Sequence, residues 1–325
     1  MSGEEIETAA ALLRAGQLVA FPTETVYGLG ANALDSDAVD LIFKAKGRPS
    51  DNPLIVHVPH LDAARCFLAT PIDSVSERLA ARFWPGPLTI VFQRNEDLSK
   101  KVLATNVSGG LNTVGIRVPA HPVALRLLLA AGVPLAAPSA NKSGSPSPTT
   151  AAHVANDHEG SGLMIIDGGA CEVGLESTVV QVVEGKVVIL RPGGVSSEQL
   201  KDAGFDMGIL NTTCVTDAPR APGMKYRHYA PKARVVPIFS FPIPQIEKPD
   251  LLIVFDSNNV DITCGKIISF GLNPRDIQTA SAKLFDLLRH ADLVEAQNVF
   301  VDCTFDRETG LGVALWNRIA KAHEG

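Results

Sequence analysis

The stretch that decides the fold reads PTETVYGLG at residues 22–30, then KAKGRP at 44–49 and DNPL at 51–54. Apolar runs at 18–21 and 54–58 lie on either side of it, and both predict strands. Hydroxyl, amide and cationic side chains therefore fall at strand ends and turns, where α/β folds collect their ligand contacts. The combination indicates a bound anion, and a nucleotide is the anion that it favours.

The rest of the chain alternates strand and helix patterns. A first helix is predicted with Ile6, Ala9, Ala10 and Leu13 on one face. A second is predicted from the cap at 35–37 to the residues before Pro49, and two more at 75–83 and 122–131. Strands are predicted at 88–92, 113–118, 134–137, 163–166, 178–183 and 186–190, the last two joined by the turn Glu184-Gly185. The pattern predicts an α/β fold with a mixed, twisted sheet.

A second, smaller core is predicted near the C-terminus, since 325 residues exceed the usual size of one domain. Strands at 251–255 and 298–302 alternate with helices at 276–290 and 312–322. This order is typical of a small doubly wound (Rossmann-like) α/β domain.

Composition excludes several function classes. The net charge of −6 and the pI of about 5.8 argue against bulk electrostatic binding of nucleic acid. No apolar run approaches the ~18 residues of a membrane helix, and the acidic start predicts no secretory signal, so we expect no membrane association and a cytoplasmic location.

The five cysteines stand far apart, with no C-x-x-C pair and no histidine at ligand spacing. We therefore expect no zinc site and no disulfide framework. Reduced thiols that fill the core are the simplest interpretation of each of them.

Further motifs follow in a fixed order: APSAN at 137–141, SPSPT at 145–149, GLEST at 174–178 and LRPG at 190–193. With the first stretch, they resemble the threonylcarbamoyl-AMP synthase family and its YrdC-like domain. The segment APGMKYRHYAP at 221–231 resembles the linker of the longer, two-domain members, which is thought to cover the active site as a lid. The resemblance implies a YrdC-like catalytic domain at 1–204, a linker at 205–232 and a C-terminal α/β domain at 233–325.

The resemblance implies a reaction that joins L-threonine, bicarbonate and ATP into threonylcarbamoyl-AMP and pyrophosphate, for the N6-threonylcarbamoyladenosine (t6A) modification of tRNA. No covalent catalytic residue is required, because alignment of the reactants and neutralisation of phosphate charge, chiefly by Arg48 and Arg117, can carry the reaction. Transfer to tRNA would need downstream t6A partner proteins. Magnesium would bind through the phosphates of ATP, without a metal site made by the protein.

By the same resemblance, two groups of residues would hold the substrates. ATP would contact Arg48, Asn52, Thr113, Ser139, Ser147, Arg191 and Tyr229, with Lys46 near the triphosphate. Threonine would contact Thr25, His57, Arg117, Ala137 and Ser177.

Residue chemistry supports some of these roles. The end of the second helix carries more positive charge than compensation of the helix dipole requires, from Lys44, Lys46 and Arg48. This favours phosphate contact by Arg48. Arg117 would clamp the carboxylate of threonine, and an internal salt bridge to Glu24 or Glu176 is the alternative. Gly47 departs from the commoner family pattern between the two basic residues, and the flexibility that it adds affects the placement of Lys46 more than that of Arg48.

Three other functions are alternatives to this interpretation of the sequence. GLGANA at 28–33 imitates a dinucleotide fingerprint between a strand and a helix, but the helix cap comes too late and no ribose-binding acid follows. A non-enzymatic module that binds structured RNA is an alternative, which the acidic charge disfavours. A carbamoyl-adenylate-forming enzyme is another, although the acylphosphatase-like domain and zinc motifs of such proteins are absent from this sequence. The sequence leaves the oligomeric state open, with a monomer preferred.

Overall fold

The computed structural model describes residues 2–95, 102–209, 228–240, 250–255, 266–270 and 276–324. Most of the predicted linker, including 221–227, lies outside the described residues. The described helices are α1 (Gly3–Arg14), α2 (Ser36–Lys46), α3 (Leu61–Ala64), α4 (Ser74–Phe83), α5 (Pro122–Ala131), α6 (Ala151–Asp157), α7 (Ser197–Asp202), α8 (Ile277–Leu293) and α9 (Gly312–His323).

The strands up to residue 191 form one mixed sheet, which has nine strands in the described part of the chain. They are β1 (Val19–Phe21), β2 (Gly28–Asn32), β3 (Ile55–His57), β4 (Leu88–Gln93), β5 (Thr113–Arg117), β6 (Leu135–Ala136), β7 (Met164–Ile165), β8 (Thr178–Val183) and β9 (Lys186–Arg191). Their order is β7-β1-β2-β6-β3-β5-β4-β8-β9. We call residues 2–209 the N-terminal unit.

The remaining described strands form a second sheet in the order β10-β13-β11-β12, and every pair in it is parallel. These strands are β10 (Arg234–Ile238), β11 (Leu251–Val254), β12 (Lys266–Ser269) and β13 (Asn298–Asp302). Every residue of β11 is buried, as expected of a strand covered on both faces. With α8 and α9 these strands form the C-terminal unit, and the predicted α/β class is confirmed.

The core of the C-terminal unit is continuous with the N-terminal unit. Its buried cluster contains Leu284, Phe285 and Leu315 from the two long helices, and also Val26 and Leu175, which precede β2 and β8. The two units therefore share an apolar interface, and the candidate site lies beside it.

The structure differs from the sequence analysis at two places. Residues 28–32 form strand β2, where no strand was predicted and where the dinucleotide fingerprint had been set aside. Gly30 is required by packing, since a Cβ there would lie 2.8 Å from Cε1 of Phe21 in the neighbouring strand. Cys66 is exposed, whereas Cys171 and Cys303 are buried as expected.

Candidate active site

A single cleft collects most of the residues that the sequence nominated. Those that line it are Thr25, Arg48, His57, Arg117, Ala137, Ser139, Ser177, Arg191 and Tyr229. All but Tyr229 come from loops and strand ends of the N-terminal unit, which are far apart in sequence.

The threonine side of the cleft is built by three neighbouring strands. β3 pairs with β5 so that His57 lies opposite Arg117, and β3 also pairs with β6, which ends beside Ala137. The Arg117 guanidinium is 4% exposed, and its Nη1 donates to Thr25 Oγ1 at 2.9 Å. Ser177 Oγ lies 2.8 Å from Thr89 Oγ1 on β4.

Arg117 also forms the internal salt bridge that the sequence analysis gave as the alternative. Its Nη2 lies 2.7 Å from Glu24 Oε1, and both side chains are buried. The guanidinium is therefore neutralised by a carboxylate of the protein itself. A substrate carboxylate would have to share Arg117 with Glu24 or displace it.

His57 is held as a neutral imidazole. Burial, helped by the nearby charge of Arg117, lowers its pKa to about 3. Burial and the charge of Arg48 likewise lower the pKa of His228, which lines the same cleft, to about 4. Both rings can therefore accept or donate a hydrogen bond at neutral pH without adding charge to the cleft.

These pKa shifts predict how stability depends on pH. In the unfolded chain both histidines bind a proton near pH 6.5, whereas in the folded chain they stay neutral to a much lower pH. Their contribution to the free energy of unfolding is therefore fully present above about pH 6.5 and is lost as the pH falls below it. Each of the two histidines should cost about 1.4 kcal/mol per pH unit between roughly pH 6.5 and pH 4. Urea denaturation from pH 7.5 to 5 should therefore show a shallower decline in His57→Gln than in the wild type. Equal slopes of stability against pH in the two proteins would contradict a neutral, buried His57 ring.

The opposite side of the cleft presents buried cations. Helix α2 ends at Gly47, whose left-handed conformation (φ 63°) turns the chain and carries Arg48 into the cleft. Arg48 Nη2 donates to Pro53 O at 3.2 Å, and its Nε has no hydrogen-bond partner among the described residues. Burial lowers the pKa of Arg48 to about 10. Arg191 Nη2 donates to Ser177 O at 2.8 Å, so Ser177 joins the two sides.

Lys46 does not line the cleft, and it is not a solvated surface residue either. It is 3% exposed, and its Nζ donates to the carbonyl oxygens of Ser139 at 2.6 Å and Asn141 at 2.5 Å. Burial, with the charge of Arg48, lowers the pKa of its amine well below the usual value. Lys46 therefore holds the 137–141 loop and does not reach the cleft.

Three other predicted ATP residues lie outside the cleft lining. Asn52 is buried, with its Oδ1 unpartnered among the described residues. Ser147 is fully buried, and its Oγ donates to Glu176 Oε1 at 2.6 Å. Thr113, the first residue of β5, lines a smaller neighbouring cavity together with Thr89.

Tyr229 closes the cleft from the side of the C-terminal unit. Its backbone has φ 66°, and its ring stacks on Phe285 of α8 with 5.3 Å between ring centroids. Burial raises the pKa of its hydroxyl, so the side chain is neutral. His228 lies beside it, with 5.5 Å between the ring centroids.

Among the described residues, no group of three or more His, Cys, Asp or Glu side chains could hold a metal ion.

Within the part of the chain that the structure describes, no helix is both long enough and apolar enough to cross a membrane.

Family models match nearly the whole chain. The Sua5_yciO_yrdC model, described as telomere recombination, matches residues 11–193. The Sua5_C model, described as the C-terminal domain of threonylcarbamoyl-AMP synthase, matches residues 195–323. The chain belongs to the threonylcarbamoyl-AMP synthase family. The relationship inferred from the motifs is confirmed over both units.

Relatives in this family cover almost the same length. The threonylcarbamoyl-AMP synthase of Pyrococcus abyssi is 42% identical, over 98% of this chain and 94% of that protein. The Bacillus subtilis enzyme of the same name is 40% identical, over 99% and 93%. A crystal structure of P. abyssi Sua5 complexed with L-threonine superposes with a TM-score of 0.86 at 41% identity, covering 98% of this chain and 94% of that chain.

Sequence reasoning about the family missed three residues of the site. Glu176 and His228 line the cleft and lie within motifs that were quoted, but neither was given a ligand role. Arg318 of α9, which binds Glu176, lies in the C-terminal unit, outside all the motifs that carry the resemblance. Nothing in its local sequence distinguishes it from a surface arginine of an amphipathic helix.

Proposed function

We propose that this protein is an L-threonylcarbamoyladenylate synthase, a nucleotidyltransferase that makes threonylcarbamoyl-AMP from L-threonine, bicarbonate and ATP. The observation that carries the proposal is that one cleft places Arg48 and Arg191 next to Arg117 and His57. Buried cations for a triphosphate thus adjoin a polar pocket for an amino acid. Membership of the threonylcarbamoyl-AMP synthase family gives the products.

The chemistry requires alignment more than a reactive side chain. The amine of threonine and bicarbonate form a carbamate with loss of water. A carbamate oxygen then bonds to the α-phosphorus of ATP as the bond to pyrophosphate breaks. Holding both reactants in one closed cleft converts a bimolecular step into a nearly unimolecular one. Fixed guanidinium groups stabilise the charge that develops on the departing pyrophosphate.

We assign threonine to the pocket of Thr25, His57, Arg117, Ala137 and Ser177, with its carboxylate on Arg117. We assign the phosphates of ATP to the side of Arg48 and Arg191, with Ser139 and Tyr229 enclosing the nucleotide. Asn52, Thr113 and Ser147 would act from just outside the cleft lining, and Lys46 by holding the loop of Ser139.

Magnesium fits this arrangement as a companion of ATP. Glu176 lines the cleft and is paired with Arg318, and Glu24 is paired with Arg117. The phosphate oxygens of ATP and water would therefore supply the metal ligands, as is common for Mg²⁺. The bound ion would neutralise phosphate charge.

We further propose that residues 205–232 close over the cleft, between a catalytic domain at 1–204 and a C-terminal domain at 233–325. The product would pass, in the cytoplasm, to partner proteins that transfer the threonylcarbamoyl group to tRNA. A mixed anhydride of this kind hydrolyses readily, so prompt transfer to a partner would limit its loss to water.

The test is pyrophosphate release from ATP and Mg²⁺ with bicarbonate, with and without L-threonine, and identification of the product by chromatography and mass. The proposal expects threonine-dependent release together with threonylcarbamoyl-AMP. Salt-sensitive binding of RNA without turnover would favour a binding module instead. Release that depends on carbamoyl phosphate and not on threonine would favour a carbamoyl-adenylate-forming enzyme.

A further inference from the structure

Arg318 on α9 is the largest fully buried side chain in the described part of the chain, with 0% exposure. Its Nε donates to Glu176 Oε2 at 2.6 Å, across the interface between the two units. An arginine is almost never buried to this extent without a charged partner. The C-terminal unit thus inserts one permanent positive charge beside the N-terminal unit at the cleft.

Glu176 connects this charge to the cleft. It lines the cleft, and its other oxygen accepts a hydrogen bond from Ser147 at 2.6 Å. Burial opposes ionisation of Glu176, but the charges of Arg318 and Arg191 and the bond from Ser147 outweigh it and lower its pKa. Glu176 is therefore a carboxylate within the cleft. Without Arg318, its charge would repel a triphosphate.

Arg318 also contacts the residue that covers the cleft. The carbon of its guanidinium lies 5.4 Å from the centroid of the Tyr229 ring, which is a cation–π distance. Tyr229 is therefore held between Phe285 of α8 and Arg318 of α9. Both contacts come from the C-terminal unit.

We infer that Arg318 is a positioning residue for the ATP side of the cleft, which makes nucleotide binding depend on docking of the C-terminal unit. It neutralises Glu176 and orients Tyr229, and it leaves the threonine pocket unaltered. The inference rests on the proposed function, because it takes ATP as the ligand on that side.

The test compares four full-length proteins: wild type, Arg318→Gln, Glu176→Gln and the double variant. Calorimetry measures the affinity of each for a non-hydrolysable ATP analogue with Mg²⁺, and separately for L-threonine. In Arg318→Gln the affinity for the analogue should fall about 30-fold, since an uncompensated buried charge is left behind, while the affinity for threonine stays within about threefold. The double variant should regain most of the lost nucleotide affinity, because no unpaired carboxylate remains.

A matched control is Asp157→Asn. Arg289 of α8 donates to both oxygens of Asp157 on α6, at 2.9 and 2.6 Å, so this pair also joins the two units, but neither residue lines the cleft. Nucleotide affinity should stay within about threefold of wild type in this variant. An equal loss in Asp157→Asn and Arg318→Gln would mean that any weakened docking has the same effect, and it would overturn the inference.

Other outcomes separate the inference from the proposed function. A wild type that makes no threonylcarbamoyl-AMP and binds neither ligand contradicts the proposed function. An active wild type whose nucleotide affinity is unchanged by Arg318→Gln overturns only the inference. If Arg318→Gln does not fold, Arg318→Lys replaces it: its ammonium keeps the charge but cannot reproduce the planar contact with Tyr229. The analogue should then bind about fivefold more weakly with threonine unchanged, and wild-type affinities for both would overturn the inference.

Discussion

Arg117→Gln should weaken the binding of L-threonine by about 100-fold and leave ATP affinity within about threefold. Arg117 is buried at the end of β5, where β3 places His57 beside it. A guanidinium in such a site can bind a carboxylate through two charge-assisted hydrogen bonds, and losing one member of a buried pair costs about 2–5 kcal/mol. Calorimetry with threonine and with threoninamide measures the effect, since the wild type should reject the amide and the variant should not distinguish the two.

The ion pair with Glu24 requires its own control. Arg117→Gln leaves the Glu24 carboxylate buried without a partner, which should destabilise the protein by about 3–5 kcal/mol. The double variant Arg117→Gln/Glu24→Gln removes that charge and should recover most of the stability. It should still bind threonine poorly, because the clamp is absent. If the double variant binds threonine as the wild type does, Arg117 has only a structural role.

Most elements could be predicted because their periodicity is local. Helix α5 has the predicted bounds, since Pro122 begins it and Gly132 ends it in the left-handed conformation. β8 and β9 likewise follow from apolar runs on either side of the turn at Glu184 and Gly185, both with positive φ. β2 could not be predicted, because its glycines disfavour a strand and only its neighbours β1 and β6 impose one.

The candidate site, too, could be predicted only in part. Motif order predicted nine of the residues that line the cleft, but it also nominated Lys46, Asn52, Thr113 and Ser147, which do not line it. It did not indicate which polar groups would bind one another. Lys46 and Arg48 are two positions apart, yet the helix ends between them, so one binds backbone carbonyls and the other reaches the cleft. The contact between Arg318 and Glu176 joins residues 142 positions apart, and no local pattern encodes it.

Arg48→Met should lower the affinity for ATP by about 100-fold without destabilising the ligand-free protein. Arg48 is buried, and no described carboxylate lies within ion-pair distance of it; Pro53 O is its hydrogen-bond acceptor. An unpaired buried guanidinium costs free energy until an anion arrives, so its removal should leave stability unchanged or raise it by about 1 kcal/mol. This is the opposite of the result expected at Arg117, whose partner is already present.

Lys44→Met is the matched control, since it removes the same charge from the exposed side of helix α2. Its ATP affinity should stay within about twofold of wild type, and so should its stability. Thermal unfolding with and without ATP and Mg²⁺ measures both quantities in one experiment, because a ligand that binds only the folded state stabilises it by an amount that grows with the logarithm of its concentration divided by its Kd. In Arg48→Met the ligand-free midpoint should hold while the shift produced by ATP nearly disappears. A fall in the ligand-free midpoint with an undiminished ATP shift would make Arg48 a structural residue and remove the main support for a phosphate subsite on this side of the cleft.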